Sequence, residues 1–408
     1  MEKKCVAVGP CPTVGVSSVR WLLTALLLAL SAATAIAQTP PARLVIRPDG
    51  VPADRPYSPG VLVGRTLYIA GHLGLPGDGP TRADMTAQTR QAMDGIGGVL
   101  KAARLGFEHL VKCHVYLGNM DDYAAMNAAY GSYFKDRVPA RTTIQAVALP
   151  SGAGVEIGCI AHTDLAAISV VRPPTGSLPA PLGPYSPAVW GGETLYVSGM
   201  GGQDPLTREV GETVEAQVTQ TVTNITTTLK AAGLSLEHVT WAQGYGTRLD
   251  EVAGLAATLD KAVSKAAPAS GLVVVPRLPG PIRAELTFVA RRPTANGRNF
   301  GVVWPDGGVR ASQRGATTYV SAFAVPGASD VAAEAREVLA RLGALLRQGD
   351  SRLTDVASVT LYLTDVGDLP KVNEVFREVF PKDPPARVTI QVQPQGKERL
   401  RVAAIAAK

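Results

Sequence analysis

The chain has 408 residues, of which 46% are hydrophobic and 18% charged, and its formal net charge is +6. This composition is typical of two to four globular domains with substantial cores. Lys3, Lys4 and Arg20 against Glu2 place +2 of the charge in the first stretch, and the remaining +4 is scattered without a basic run. The charge pattern therefore argues against a nucleic-acid-binding protein.

The first 37 residues have the pattern of a secretory signal peptide. Basic residues precede the apolar run "WLLTALLLALSAATAIA", which ends in an A-x-A motif at Ala35 to Ala37. The run is shorter than the roughly 20 residues that span a bilayer. We therefore expect cleavage before Gln38 and a periplasmic or secreted mature protein, with an uncleaved anchor as the alternative.

Two cysteines, Cys113 and Cys159, remain in the mature chain. They could pair in an exported protein, but a framework of several disulfides is absent. We therefore expect two buried thiols.

The elements of the first unit follow in chain order. A β-hairpin is predicted around "PYSPGVLVGRTLYIAG", and a helix follows it. Next comes a strand over 111–117, in which Val111, Cys113, Val115 and Leu117 alternate with Lys112, His114 and Tyr116. A second helix is predicted over about 121–135, and two more strands close the unit.

The same elements recur twice. The second unit has a helical series at Val214, Val218, Val222, Ile225, Leu229 and Ala232, and the third has one at Val331, Ala335, Val338, Leu342 and Leu345. Five short phrases also recur in the same order. They are "PYSP" (56–59, 184–187), "LYIAG" (67, 195, 318), "EHLVKCHVYL" (108, 237, 354), "VPARTTIQA" (138, 268, 384) and "VEIGCIA" (155, 284, 400).

These landmarks predict a tandem triplication. We place the signal peptide at 1–37 and the three domains at 42–167, 170–292 and 298–408, with Pro-rich linkers between them. The predicted fold class is α+β, in which each domain is a mixed sheet covered by two helices on one face. The other face of each sheet stays apolar, so the three domains are expected to bury these faces on each other as a pseudo-trimer within one chain.

The units resemble the RidA/YjgF family. The resemblance rests on "PYSPGVLVGRTLYIAG", "NMDDYAAMNAAYGSYF" and "VPARTTIQAVALPSGAGVEIGCIAH" in the first unit and on their echoes in the others. It implies a fold similar to that of chorismate mutase, a trimer with a small-molecule pocket at each subunit boundary, and hydrolysis of enamines and imines to 2-oxo acids and ammonia without metal or cofactor.

The resemblance also implies the site residues. Arg141 and Arg387 would hold the substrate carboxylate, because a guanidinium offers two parallel N–H donors. Glu156 and Glu285 would polarise the attacking water or relay a proton. The predicted ligand-orienting residues are Tyr57, Tyr185, Asn127 and Asn373.

The pattern of losses predicts how the pockets are assembled. The second unit has Ser270 and Ala256 in place of the arginine and asparagine, and the third has Gly308 and Arg401 in place of the tyrosine and glutamate. If arginine and asparagine come from one unit and tyrosine and glutamate from the next in cyclic order, all four losses fall at one boundary. Arg141 and Asn127 would then meet Tyr185 and Glu285, while Arg387 and Asn373 would meet Tyr57 and Glu156.

The sequence therefore favours an exported imine or enamine deaminase-like hydrolase related to 2-iminobutanoate/2-iminopropanoate deaminases. The alternative is a non-catalytic protein that binds a small carboxylate or amine in the same pockets. We expect a small-molecule substrate, no metal or organic cofactor, no nucleic acid, no stable membrane span after signal cleavage, and a monomeric chain.

Overall fold

The computed structural model describes residues 43–75, 84–293, 297–304 and 307–408. The predicted signal peptide over 1–37 lies outside these residues. No helix in these ranges is long and apolar enough to cross a membrane. The ranges contain three successive units with the same order of elements.

The first unit contains a sheet and two main helices. Its strands are β1 (Leu44–Ile46), β2 (Gly60–Val63), β3 (Thr66–Gly74), β4 (Leu110–Leu117), β5 (Ala140–Gln145) and β6 (Val155–His162), and its helices are α1 (Met85–Ala102) and α2 (Tyr123–Gly131). The sheet order is β1-β2-β3-β6-β4-β5. Only β4 and β5 pair in parallel. Asp84 caps α1, accepting from the N–H of Ala87.

The second unit repeats this order with an additional short strand. Its strands are β7 (Ile168–Val171), β8 (Ala188–Gly191), β9 (Thr194–Val197), β10 (Met200–Gly201), β11 (Val239–Gly246), β12 (Ala269–Val274) and β13 (Ala284–Arg291), and its helices are α3 (Val214–Ala231) and α4 (Val252–Ala262). The sheet order is β12-β11-β13-β9-β8-β7, and β10 pairs with β13.

The third unit has the same topology as the first. Its strands are β14 (Arg298–Trp304), β15 (Gly307–Arg314), β16 (Thr317–Phe323), β17 (Val356–Leu363), β18 (Ala386–Gln391) and β19 (Leu400–Ala407), and its helices are α5 (Val331–Gln348) and α6 (Leu369–Val379). The sheet order is β14-β15-β16-β19-β17-β18. Three mixed sheets, each with two main helices, confirm the predicted α+β class.

Each unit has its own core between its sheet and its helices. A further apolar cluster is shared by all three units and includes Tyr116, Tyr245 and Tyr362, one from each. These tyrosines lie on the sheet faces that point away from the helices. The second face of each sheet is therefore buried against the other units.

Backbone hydrogen bonds also join the units around this shared cluster. The N–H of Gln145 donates to the carbonyl of Arg277 (3.0 Å), that of Val147 to Gln391 (2.9 Å), and that of Gln393 to Val274 (3.0 Å). Each of the three unit pairs is joined by one of these bonds.

Two local predictions need correction. The second helix of the first unit is shorter than the predicted 121–135, because a 3-10 turn over Met120–Asp122 precedes α2 and the helix ends at Gly131. The expectation of two thiols was also wrong, since the structure contains a Cys113–Cys159 disulfide. The two cysteines are directly opposite each other on the antiparallel pair β4 and β6, which brings their Cα atoms to 4.1 Å.

We expect the mature protein to be a monomer in solution. The three sheet faces that would drive trimer formation are already covered within one chain, so further copies would bury no comparable apolar surface. Light scattering should give the mass of one mature chain. A mass of three chains would contradict this expectation.

Candidate functional site

Arg141 lies near the start of β5 in the first unit, and only 2% of it is exposed. Its backbone is held by the second unit. The Arg141 N–H donates to Oγ of Ser198 (2.8 Å), and its carbonyl accepts from the N–H of Gly199 (2.9 Å). The start of β5 in one unit is thus fixed against the residues that follow β9 in the next.

The Arg141 guanidinium is surrounded by aromatic rings from both units. It donates to the hydroxyl of Tyr123 (3.2 Å). Its central carbon lies 5.7 Å from the ring centre of Tyr123, 5.0 Å from that of Tyr130 and 5.5 Å from that of Tyr185. Ring faces attract a cation and, being rigid, fix its orientation. Tyr185 is the tyrosine that the cyclic order assigns to this arginine.

Glu285 on β13 is the carboxyl group of the same pocket and is 4% exposed. Burial raises the pKa of Glu285 to about 8, although the charges of Lys112 and Arg141 and the N–H of Thr143 lower it. This carboxyl group therefore holds its proton near neutral pH, unlike a solvated glutamate.

Glycine lets the backbone lie directly against each buried glutamate. A Cβ at Gly199 would be 1.9 Å from Oε1 of Glu285, and a Cβ at Gly71 would be 1.8 Å from Oε1 of Glu156. Any larger residue at these positions would displace the carboxyl group. At the equivalent position the third unit has Ala322, and there the glutamate is also absent.

A cleft of about 710 Å³ opens beside Arg141, Glu285 and Tyr185. Its remaining wall is mostly apolar, and its members include Leu178, Leu182, Met200, Ile282 and several prolines of the segment 173–181. Asn127 lies beside the cleft, and its side-chain amide donates to the carbonyl of Leu182 (3.4 Å). The four residues that the cyclic order groups around Arg141 are close together.

Arg387 on β18 occupies the equivalent position in the third unit and is 5% exposed. It donates to Oδ1 of Asn373 (2.6 Å), and its guanidinium carbon lies 5.2 Å from the ring centre of Tyr57 and 4.9 Å from that of Phe376. Burial lowers its pKa to about 10. Tyr57 comes from the first unit, as the cyclic order predicts.

Glu156 on β6 faces Arg387 across the same boundary. Its Oε1 accepts from the N–H of Thr389 (3.1 Å), and its Oε2 has no hydrogen-bond partner among the described residues. Burial raises the pKa of Glu156 to about 8, against the opposing effects of the Thr389 N–H and Arg387. Because Oε1 accepts from Thr389, Oε2 carries the proton of the neutral group and can donate it to a ligand or water.

The third boundary contains an ion pair instead. Arg310 binds Asp260 with both terminal nitrogens (2.7 and 3.1 Å) and also donates to Oγ of Ser270 (3.1 Å). Arg401 is paired with Glu398 (2.8 Å). The register of the third hairpin places Gly308 where the other units have tyrosine. The groups that could receive a carboxylate ligand here are therefore replaced or already paired.

Lys112 is a buried cation close to the first of these pockets. Its ammonium group donates to Oγ1 of Thr142 (2.8 Å), Oγ1 of Thr287 (2.9 Å) and the carbonyl of Val197 (2.8 Å). Burial lowers its pKa to about 7, opposed by Glu285. Because these acceptors come from both units, Lys112 also joins the first unit to the second.

The sequence reasoning missed several of these neighbours. Tyr123, Tyr130 and Phe376 stack on the arginines from helices α2 and α6. The helical phrase containing Asn127 and Asn373 could have indicated them, since residues at i, i+3 and i+4 share a helix face. The change from Gly71 and Gly199 to alanine in the third unit was also a visible signal.

The raised pKa of Glu156 predicts a pH-dependent stability. The pKa of this carboxyl group is about 8 in the folded protein and 4.5 in the unfolded chain. Between these two pH values the group is protonated in the folded protein and ionised in the unfolded chain. Its contribution to stability is complete below the unfolded value and is lost as the pH rises through the folded value.

When the pH is raised from 5 to 8, the melting temperature of the variant Glu156→Gln should therefore fall less than that of the wild type, because glutamine cannot ionise. Thermal unfolding at both pH values measures this difference, and the other titrating groups are common to both proteins. Equal losses in the two proteins would show that Glu156 titrates normally.

The comparisons with known proteins agree with the repeated architecture. The family model described as Endoribonuclease L-PSP matches three times, over residues 49–163, 175–292 and 315–407. These matches cover well over half of the chain, one match in each of the three units.

Single-domain relatives match one unit each. A 2-iminobutanoate/2-iminopropanoate deaminase from Capra hircus is 44% identical over 108 residues, which are 26% of this chain and 79% of that protein. Protein DfrA from Myxococcus xanthus is 39% identical over 127 residues, 29% of this chain and 95% of that protein. The crystal structure of RidA from Psychrobacter sp. PAMC 21119 is 34% identical, with a TM-score of 0.29, and covers 30% of this chain and 99% of that one. The chain belongs to the RidA/YjgF family, of which it contains three tandem domains.

Proposed function

We propose that the chain is an imine or enamine deaminase-like hydrolase with two sites, each at a boundary between domains. The observation that carries this proposal is the pairing of a buried arginine with a buried glutamate of raised pKa across each of two boundaries. The deaminase names of relatives that are about 40% identical over one domain support the same activity.

The guanidinium would bind the carboxylate of an amino-acid-derived imine. Arg141 is buried among rings, so its charge is poorly solvated and a carboxylate is the complementary ligand. Tyr185 and Tyr123 would then limit the orientations of the bound ligand, since both rings already flank the guanidinium. Arg387 with Tyr57 would do the same at the second site.

The glutamate would act as the general acid and general base of the hydrolysis. Water adds to the C=N carbon to form a carbinolamine, whose C–N bond then breaks to give the 2-oxo acid and ammonia. A carboxyl group with a pKa of about 8 is mainly protonated at neutral pH, and its ionised form is only slightly higher in free energy. It can therefore protonate the nitrogen in one step and accept a proton from oxygen in the next.

The activity is tested by generating an unstable imine in the assay mixture. An amino-acid oxidase and its substrate release the imine, whose decay is followed with and without the protein. Faster decay with wild type, and no acceleration with Arg141→Ala plus Arg387→Ala, is the expected result. If the wild type binds a 2-oxo acid but leaves the decay unchanged, the protein is the non-catalytic binding protein that the same pockets would also serve.

The location outside the cytoplasm stays a prediction from the first 37 residues. Such imines arise mostly from cofactor enzymes, so an exported hydrolase would need an exported amine or amino-acid oxidase to supply its substrate. N-terminal sequencing of the natural protein should find Gln38 or a close neighbour first, and finding Met1 would argue against cleavage.

A further inference from the structure

The two arginine sites have different walls. The segment before each "PYSP" phrase runs beside the arginine of the preceding unit in the cyclic order, and its last residues differ. Leu182 and Gly183 occupy this position beside Arg141, whereas Asp54 and Arg55 occupy it beside Arg387. The same backbone position therefore offers an apolar surface at one site and charged groups at the other.

Contacts fix the segment against Arg141. The Leu182 N–H donates to the hydroxyl of Tyr185 (3.3 Å), and its carbonyl accepts from Asn127 (3.4 Å). A Cβ at Gly183 would be 2.7 Å from a terminal nitrogen of Arg141, and one at Gly280 would be 3.3 Å from Cδ1 of Leu182. Glycine at position 183 lets the segment pass close to the guanidinium, and the neighbouring Leu182 lies against the loop after β12.

Much of the rest of this wall is apolar, although Gln203, Arg208 and Asn224 also line the cleft. Leu178 and the prolines of the segment 173–181 line one side of the cleft, and Pro279, Pro281 and Ile282 line another. The cleft volume of about 710 Å³ greatly exceeds the volume of a four-carbon 2-oxo acid. Arg141 and Glu285 occupy only part of this space, and apolar surface lines most of the remainder.

The second site has extra cations near its arginine. The Arg55 guanidinium lies 6.0 Å from the ring centre of Tyr57 and donates to its hydroxyl (3.5 Å). Arg377 donates to the carbonyl of Asp54 (3.5 Å), and its charge lowers the pKa of Arg387. These groups provide polar and charged surroundings where the first site provides leucine and glycine.

We propose that the Arg141 site selects 2-imino and 2-oxo monocarboxylates with a large apolar side chain, and that the Arg387 site does not share this preference. The inference rests on the proposed function, since Arg141 must bind the carboxylate. The side chain would then extend along Leu182 and Leu178 and remove apolar surface from water on both partners. A second carboxylate against this apolar surface would lose part of its solvation, and apart from Arg141 the cation that lines the cleft is Arg208.

The experiment isolates each site in the full-length protein. In Arg387→Ala, which retains the Arg141 site, calorimetry compares 2-oxobutanoate, 2-oxo-4-phenylbutanoate and 2-oxoglutarate. We expect the phenyl compound to bind at least about tenfold more tightly than 2-oxobutanoate, and 2-oxoglutarate to bind more weakly than the phenyl compound. In Arg141→Ala, which retains the other site, the phenyl preference should be absent.

A matched pair of variants locates the preference. In the Arg387→Ala background, Leu178→Ala plus Leu182→Ala should reduce the preference to less than about threefold, chiefly by weakening the binding of the phenyl compound. The control is Leu165→Ala plus Leu249→Ala, two leucines of similar exposure to Leu182 (47% and 53% against 48%) that do not line the cleft. This control should keep the full preference.

The possible outcomes distinguish a failure of the proposed selectivity from a failure of the proposed function. If 2-oxobutanoate binds to the isolated Arg141 site but the phenyl compound binds no more tightly, the selectivity proposal is overturned. Arg141 would still be shown to bind a 2-oxo acid. If none of the three acids binds to that site, the proposed function is overturned there and the selectivity with it. Equal phenyl preference at both isolated sites would also contradict the proposal.

Discussion

Arg141→Ala combined with Glu156→Ala should abolish ligand binding, whereas Arg141→Ala combined with Glu285→Ala should leave half of it. Arg141 lies beside Tyr185 and Glu285, and Arg387 lies beside Tyr57 and Glu156. The first combination thus damages both sites, and the second damages one site twice. The effects of residues that act as a unit are non-additive, so Glu285→Ala should weaken binding little further once Arg141 has been replaced.

Loss of a buried guanidinium should weaken binding at its site by about 2–5 kcal/mol, because the ligand carboxylate is left unpaired in a desolvated pocket. Calorimetry with a 2-oxo acid measures the remaining sites. If Arg141→Ala with Glu285→Ala removes all binding while Arg141→Ala with Glu156→Ala leaves half, then the functional groups do not work across these boundaries.

Gly71→Ala combined with Gly199→Ala should reduce catalysis about 100-fold or more. The new methyl groups would lie within 2 Å of Oε1 of Glu156 and Glu285, so both carboxyl groups must move. A displacement of about 1 Å in a catalytic group is enough for a loss of this size. The imine decay assay measures the rate, and either single variant should retain about half of the wild-type activity.

The control for this prediction is Gly98→Ala. Gly98 lies in α1, and the nearest atom to a Cβ there is Cγ of Pro48 at 3.9 Å. This variant should keep full activity. Normal activity in Gly71→Ala plus Gly199→Ala would mean that the two carboxyl groups do not take part in catalysis.

The repeated elements could be predicted because periodicity survives divergence. The series from Val214 and the series from Val331 predicted the helices that the structure places at Val214–Ala231 and Val331–Gln348. The core of each unit needs the same apolar face, so the pattern persists although most identities have changed. The "PAR" phrase likewise placed Arg141 and Arg387 at equivalent ends of β5 and β18.

Contacts made across the sheet and between units were harder to predict. The disulfide depends on the register that sets Cys113 opposite Cys159, and strand register is not visible in spacing alone. The ion pair of Arg310 with Asp260 joins residues 50 positions apart in two different units. Arg310 stands in the hairpin where the other units have a proline, so no repeated phrase marked it.

The number of ligands bound per chain tests the two-site account most directly. Two boundaries have a buried arginine facing a buried glutamate, and the third has Arg310 paired with Asp260. Titration of the wild-type protein with 2-oxobutanoate, which is small enough for either site, should give two equivalents per chain, each lost separately in Arg141→Ala and Arg387→Ala. A stoichiometry of three, or binding that survives in the double arginine variant, would contradict the account.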